Sequence, residues 1–167
     1  VGAAARQRVE AMGIISPGSP GLYEEQYTKV LGRYAEYAIC NTIWYNPKSK
    51  MTGIVGRELK KRNPKDELHF HGANVGYTYD AVMIAADAFR RAKTTDAKTL
   101  ADAIRQTDIP VANRMSLGGP IRFNPKGQVE GNLSAAVQNL KGKPTVTLPP
   151  EFAEAKVVFP SPDYKRG

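Results

Sequence analysis

Gly119-Pro120-Ile121-Arg122-Phe123-Asn124-Pro125-Lys126-Gly127-Gln128 is the stretch on which the fold turns, read with the helical run Tyr77 to Lys93 before it. Pro125 pre-sets the φ angle of a turn, and Gly127 can take the positive φ that closes it. The pattern predicts a β-hairpin: a strand over 120–123 breaks at Asn-Pro-Lys-Gly and resumes over Leu133 to Leu140. Another short strand is expected over 144–148. Upstream, helices and strands alternate, so the chain reads as α/β, with a parallel sheet and antiparallel additions.

Working outward toward the N-terminus, residues 3–12 are strong helix formers that Gly13 can stop. Ile14-Ile15 leads into Ser16-Pro-Gly-Ser-Pro-Gly21, whose two prolines and two glycines predict a loop. Tyr23, Tyr27, Val30 and Leu31 recur at helical spacing and end at Gly32. Tyr37 to Tyr45 is rich in β-formers and bounded by Asn46-Pro47, so it reads as a buried strand. A third helix carries Met51, Ile54, Val55 and Leu59 on one face. A fourth places Val75, Tyr79, Val82, Met83, Ala86 and Phe89 in one apolar stripe, opposite Asp80, Asp87, Arg90 and Arg91. Thr94-Thr95-Asp96 offers N-cap oxygens to a fifth, lined by Ala97, Leu100, Ala101 and Ile104. The tail from Pro149 is proline-rich and is expected to run extended over a surface.

The chain has 167 residues, 41% apolar and 24% charged, a globular balance with enough length for a core. No apolar run approaches a membrane span, and no charged-then-apolar leader opens the chain. It begins at Val1 without a Met, which fits processing or a start part-way through a longer protein. The single cysteine, Cys40, excludes an internal disulfide and reads as a buried structural thiol. The net charge is +8, with 4 basic and 4 acidic groups in residues 1–43, 13 and 8 in 44–118, and 7 and 4 in 119–167. The excess is spread out, apart from a cluster at Arg57, Lys60, Lys61, Arg62 and Lys65. That cluster closes a helix before Asn63-Pro64, where the helix dipole favours cations, and it lacks the interleaved aromatics of a nucleic-acid surface.

Catalytic patterns are sparse. His69 and His71 lie two apart, which in a strand would put both rings on one face, but no Cys or Glu at ligand spacing completes a metal shell. Ser19 is not in a Gly-x-Ser-x-Gly elbow, and Gly118-Gly119 lacks the phosphate-cradling spacing. A hydrolase using Ser19 with His69 or His71, and a basic nucleic-acid module built on Arg57, Lys60 and Lys61, stand as alternatives. What remains is a set of aromatic and small polar residues at element ends. Trp44 and Tyr45 close a strand, and Asn74 and Tyr77 are expected in the first turn of the fourth helix, where free N–H groups attract a carboxylate. Ligands of open α/β sheets gather at such places.

Residues 77–104, from Tyr77-Thr-Tyr-Asp80 to Ala101-Asp-Ala-Ile104, resemble the helix pair of branched-chain amino-acid-type solute-binding proteins of ABC transporters. Gly119 to Gln128 resembles their Gly-Pro-Val-Lys-Phe-Asp-x-x-Gly-Gln crossing. Val137-Gln138-Asn-Leu-Lys-Gly-Lys143 resembles their strand hairpin, and Leu148 to Pro162 their C-terminal tail. Arg57 to Asp66 is more basic than the family pattern, Arg114-Met-Ser-Leu117 replaces a short link, and the Ser16 to Gly21 loop is richer in Pro and Gly.

The resemblance implies the C-terminal portion of a type I periplasmic binding protein, with Rossmann-like lobes joined by hinge strands and a ligand closed between them. It places 1–43 in the second lobe, 44–118 in the first after a hinge crossing at Trp44–Pro47, and 119–148 in a hinge return at Gly119–Phe123 with second-lobe strands. Residues 149–167 form the tail. By position it implies ligand contacts from Ser19, Pro20, Gly21, Trp44, Tyr45, Asn74 and Tyr77, with no cofactor, metal or bond-making chemistry. The implied partners are an amino acid or organic acid, a membrane permease and the preceding part of the same protein, in the periplasm of an exporting cell, with the signal peptide outside this chain. Apolar surface left uncovered would favour a homodimer.

Overall fold

The computed structural model describes residues 2–7, 9, 11–18 and 20–162. They fall into two units: the described residues of Val1–Thr42, Glu67–His71 and Ser134–Gly167 form the first, and Ile43–Asp66 with Gly72–Leu133 form the second.

In the first unit a short helix, α1 (Gly2–Arg6), precedes strand β1 (Ile15–Pro17), helix α2 (Glu25–Leu31) and strand β2 (Ile39–Ile43, its last residue in the second unit). Strands β3 (Ser134–Leu140) and β4 (Lys143–Leu148) complete a four-stranded sheet of order β1-β2-β3-β4. β1 and β2 run parallel, Ile15 opposite Ile39 and Ser16 opposite Cys40, as a crossover through α2 allows. β3 and β4 are antiparallel around the two-residue loop Lys141-Gly142, both at positive φ, which suits the right-handed twist of the strands.

Two expectations are corrected in this unit. The helix expected over 3–12 extends only over Gly2–Arg6. Ser16 and Pro17, expected in a loop, belong to β1. Pro17 is tolerated because it ends an edge strand, and the Asn41 carbonyl takes the Gly18 N–H instead, at 2.8 Å.

Ala38, Ile39, Cys40, Ala135, Val137 and Val146 are buried in the core. Burial pushes the Cys40 thiol up to about 11, which leaves it a packing group. Two buried amides tie the layers together. Gln138 Nε2 donates to Tyr37 O and Val158 O at 3.0 and 2.9 Å, and its Oε1 accepts from Val158 N at 2.9 Å. Asn139 Nδ2 donates to Leu22 O and Ala35 O at 2.7 and 3.2 Å. The tail is thereby laid along its own sheet, with Glu154 N donating to Val146 O at 2.8 Å.

The second unit holds α3 (Lys50–Arg62), α4 (Gly72–Ala92) and α5 (Ala97–Arg105). Ser49 Oγ accepts from Met51 N at 3.2 Å to cap α3, and Lys60, Lys61 and Arg62 fill its last turn. Asp96 Oδ1 accepts from Thr99 N at 2.8 Å to cap α5. That backbone bond holds the Asp96 carboxyl below its usual range.

The apolar stripe expected on α4 is corrected. Val82 and Phe89 are 61% and 49% exposed, while Gly72, Ala73, Gly76, Asp80 and Ala88 are buried. The buried row is one of small residues because α4 comes too close to residues 44–45 for anything larger. A Cβ at Gly76 would lie 3.2 Å from the Tyr45 backbone, and one at Gly72 would overlap the Trp44 ring and approach Tyr45 Cε1 to 2.7 Å.

The Asn124–Gly127 turn forms, with Gly127 at φ 79°, but it does not lead into 133–140. Asn124 Oδ1 accepts from Lys126 N and Gln128 N at 2.9 and 3.0 Å, and Phe123 pairs with Val129. With those donors satisfied locally the chain doubles back at once, and residues 119–133 stay in the second unit. The strand expected at 120–123 is reduced to two isolated bridges, Ile121 with Ile109 and Phe123 with Val129. His69 lies in a 3₁₀ turn, Leu68–Phe70, with His71 next to it, and both belong to the first unit.

Gly72→Ala should lower stability by about 1–3 kcal/mol through overpacking, while Gly53→Ala, with only the Arg57 guanidinium nearby, should raise it by about 0.5–1 kcal/mol. Urea-unfolding midpoints at constant slope check both. Burial also holds the His69 imidazole below its ordinary range, with Glu67 opposing, and Nε2 is buried without a hydrogen-bond partner. On acidification the unfolded chain binds the proton first, so this stabilisation is full above about pH 6.5 and is lost as pH falls through the folded-state value. The fall in melting temperature between about pH 7.5 and 5.5 should be smaller in His69→Phe than in the parent chain.

Candidate functional site

The expected site residues divide between the units. Ser19 lies outside the described residues. The backbone of Pro20 and Gly21 opens a 3₁₀ turn, Pro20–Tyr23, in the first unit, anchored where Leu22 O accepts the Asn139 amide. The space beside Gly21 is open, with nothing within 4 Å of a built Cβ.

Trp44, Tyr45, Asn74 and Tyr77 all belong to the second unit. Trp44 is 0% exposed and stacks on Tyr45 with ring centroids 5.6 Å apart, so both rings are core groups of this unit. Asn74 lies in the first turn of α4, whereas Tyr77, expected there too, falls in the second turn because the helix starts at Gly72. Only Asn74 therefore has a backbone N–H at the open end of the helix. Tyr77 is 46% exposed, and its hydroxyl donates to Asn74 Oδ1 at 2.5 Å.

Below Tyr77 lies a cavity of about 140 Å³ with walls from Ile43, Ala81, Ile84, Ile121 and Val129. Its polar floor is Asp80, Arg114, Ser116 and Asn132. The Asp80 carboxylate accepts from Met115 N at 2.8 Å, from Ser116 N at 3.1 Å and from the Ser116 hydroxyl. Arg114 Nε lies 3.4 Å from Asp80 Oδ2 and donates to Ser116 Oγ at 2.9 Å. Its Nη1 donates to Gly119 O at 2.6 Å and its Nη2 to Asn132 Oδ1. Burial pushes the Arg114 guanidinium below its ordinary range, and the Asp80 carboxylate opposes that push.

This network escapes the sequence pattern, which puts Asp80 on a polar face with Asp87. The available signal is the row Ala73, Gly76, Asp80 and Ala88, a helix face of small residues with one carboxylate in it.

Of the residues in the other expected patterns, His69 packs against Phe70 with centroids 4.4 Å apart. Lys61 pairs with Glu58 at 2.6 Å, and Lys60 Nζ donates to Asp66 O at 3.2 Å, so the basic cluster is partly neutralised from within.

No protein-family model matches the chain, and no curated protein is significantly similar to it. Solved structures do share its fold. A leucine-binding protein from Thermotoga maritima superposes with a TM-score of 0.65 at 20% identity, over 85% of this chain and 38% of its own. An ABC-transporter substrate-binding protein from Desulfitobacterium hafniense, solved with Leu, gives 0.61 at 18% identity over 86% and 37%. A protein assigned as a branched-chain amino-acid ABC transporter from Silicibacter pomeroyi gives 0.68 at 14% identity over 95% and 43%. The chain thus has the mixed α/β fold of type I periplasmic binding proteins, and it spans about two fifths of the length of the structures it matches.

Asp80→Ala should cost about 3–5 kcal/mol, because it strands a buried guanidinium and two backbone N–H groups. Tyr77→Phe, which removes one exposed hydroxyl, should stay within about 0.5 kcal/mol. Chemical unfolding followed by Trp44 fluorescence compares the two.

Proposed function

We propose that this chain is the C-terminal portion of a solute-binding receptor of an ABC-type importer, holding a small amino acid or carboxylate outside the cytoplasm and passing it to a membrane permease. The observation that carries the reading is the shared fold over 85–95% of the chain with transporter binding proteins, among them a leucine-binding protein and one solved with Leu. Within the second unit the groups available to a solute are the exposed Tyr77 ring, the exposed Asn74 side chain and the N–H groups of the first turn of α4. A helix N-terminus favours a carboxylate, and an aromatic face favours an apolar side chain. Gly21 and its neighbours in the first unit would offer backbone groups. Trp44 and Tyr45 would serve by shaping the second unit rather than by touching the solute. No step in this reading makes or breaks a bond.

The test is thermal denaturation of the full-length receptor that carries this chain, against the twenty amino acids and a set of small carboxylates. At a hundredfold excess over Kd a true ligand stabilises by about 2.7 kcal/mol, or about 5–10 °C. Asn74→Ala should reduce the shift while leaving the unliganded melting temperature nearly unchanged. A flat response to every compound at millimolar concentration would overturn the reading.

A further inference from the structure

The chain changes unit at four places: after Thr42, Asp66, His71 and Leu133. Three of these open or close on residues gripped by one network inside the second unit. Past the first, Trp44 O accepts from Leu117 N at 3.1 Å, and Asn46 N donates to Met115 O at 2.7 Å. Past the third, Gly72 and Gly76 seat α4 against Trp44 and the Tyr45 backbone. Before the fourth, Gly131 O accepts from Gly119 N at 3.0 Å, and Leu133 N donates to Leu117 O at 3.4 Å. Residues 114–119 are common to every one of these bonds to 44–46 and 131–133, and Asp80 and Arg114 are what hold 114–119 in place. At the passage after Asp66 the Lys60–Asp66 bond is exposed.

We propose that Asp80 and Arg114 are positioning residues that weld residues 43–46, 72–80 and 131–133 into one block, so that the chain bends only outside it. The carboxylate takes two backbone N–H groups and a hydroxyl in charge-assisted bonds, which are shorter and stronger than neutral ones. The planar guanidinium fixes Ser116 Oγ, Gly119 O and Asn132 Oδ1 in one fork. Both charges are buried, so an arm that opens leaves a charged group short of a hydrogen-bond partner, which the remaining arms must take up. Loosening one segment must therefore loosen the rest. Under the receptor reading, on which only this functional meaning rests, the flexing that accompanies capture falls outside this block. Hinges need only a few such residues.

Residue-resolved hydrogen exchange on the 167-residue chain tests the block without any ligand. Asn132 is exposed, so Asn132→Ala should fold and remove a single arm. Its expected effect is about tenfold faster exchange at Leu133 and, together with it, at Asn46 and Leu117, with Asn63 and Val146 unchanged. Asp80→Asn should move the same three amides further. Acceleration of Leu133 alone would overturn the proposal, and so would an equal acceleration at Val146 and Asn63, which would mean global destabilisation. A receptor that fails to bind amino acids yet shows the coupled pattern would sink the functional reading and leave the block intact.

Discussion

A carboxylate buried beneath a helix governs the second unit. Asp80 sits where α4 can approach the backbone only because Gly72, Ala73 and Gly76 present no bulk. The closeness lets its oxygens reach Met115 N and Ser116 N, and those amides set the pairing of 115–117 with 44–46. Arg114 supplies the compensating charge. A buried pair of this kind adds little net stability against a well-packed apolar substitute, yet losing one partner is severe. What it provides here is register: the ladder between Tyr45 and Ser116 has one place to sit.

The first unit solves a similar problem without charge. Gln138 and Asn139 are neighbours on one strand, so their side chains leave it on opposite faces. One amide clamps Tyr37 and the tail at Val158, the other the turn at Leu22 and the end at Ala35. Every polar group named is satisfied, which is the condition under which burying an amide is tolerable. The turn carrying Pro20 and Gly21 inherits its position from Asn139, a residue more than a hundred positions away in sequence.

Much of this was legible from residue order. The helix cap at Asp96, the cation-rich end of α3, the strands near 133–140 and 144–148 and the buried thiol follow from local chemistry that short windows contain. The branched-chain amino-acid receptor likeness pointed to the fold that the solved structures share. Legibility failed where long-range contacts decide. Periodicity placed Val82 and Phe89 inward because it weighs side chains by size, whereas α4 is oriented by what can come close to Tyr45. The turn at Asn124 was correct in chemistry and wrong in partner, since an Asn that satisfies its own neighbours gives no information about a distant strand. Tyr77 moved by one turn because nothing at His71-Gly72 marks a helix start in sequence.

The Gln138 clamp bears on how the chain tolerates trimming. Val158 both donates to and accepts from that one amide, and on either side of it the tail is held by Glu154 N on Val146 O and Ser161 N on Met12 O. Among the described residues, exopeptidase erosion from the C-terminal side would lose the Ser161 bond to Met12 first and this latch after it. That second loss would open a dry, solvent-starved amide beside β2 and β3, and the sheet would register the cut at its centre rather than at its rim.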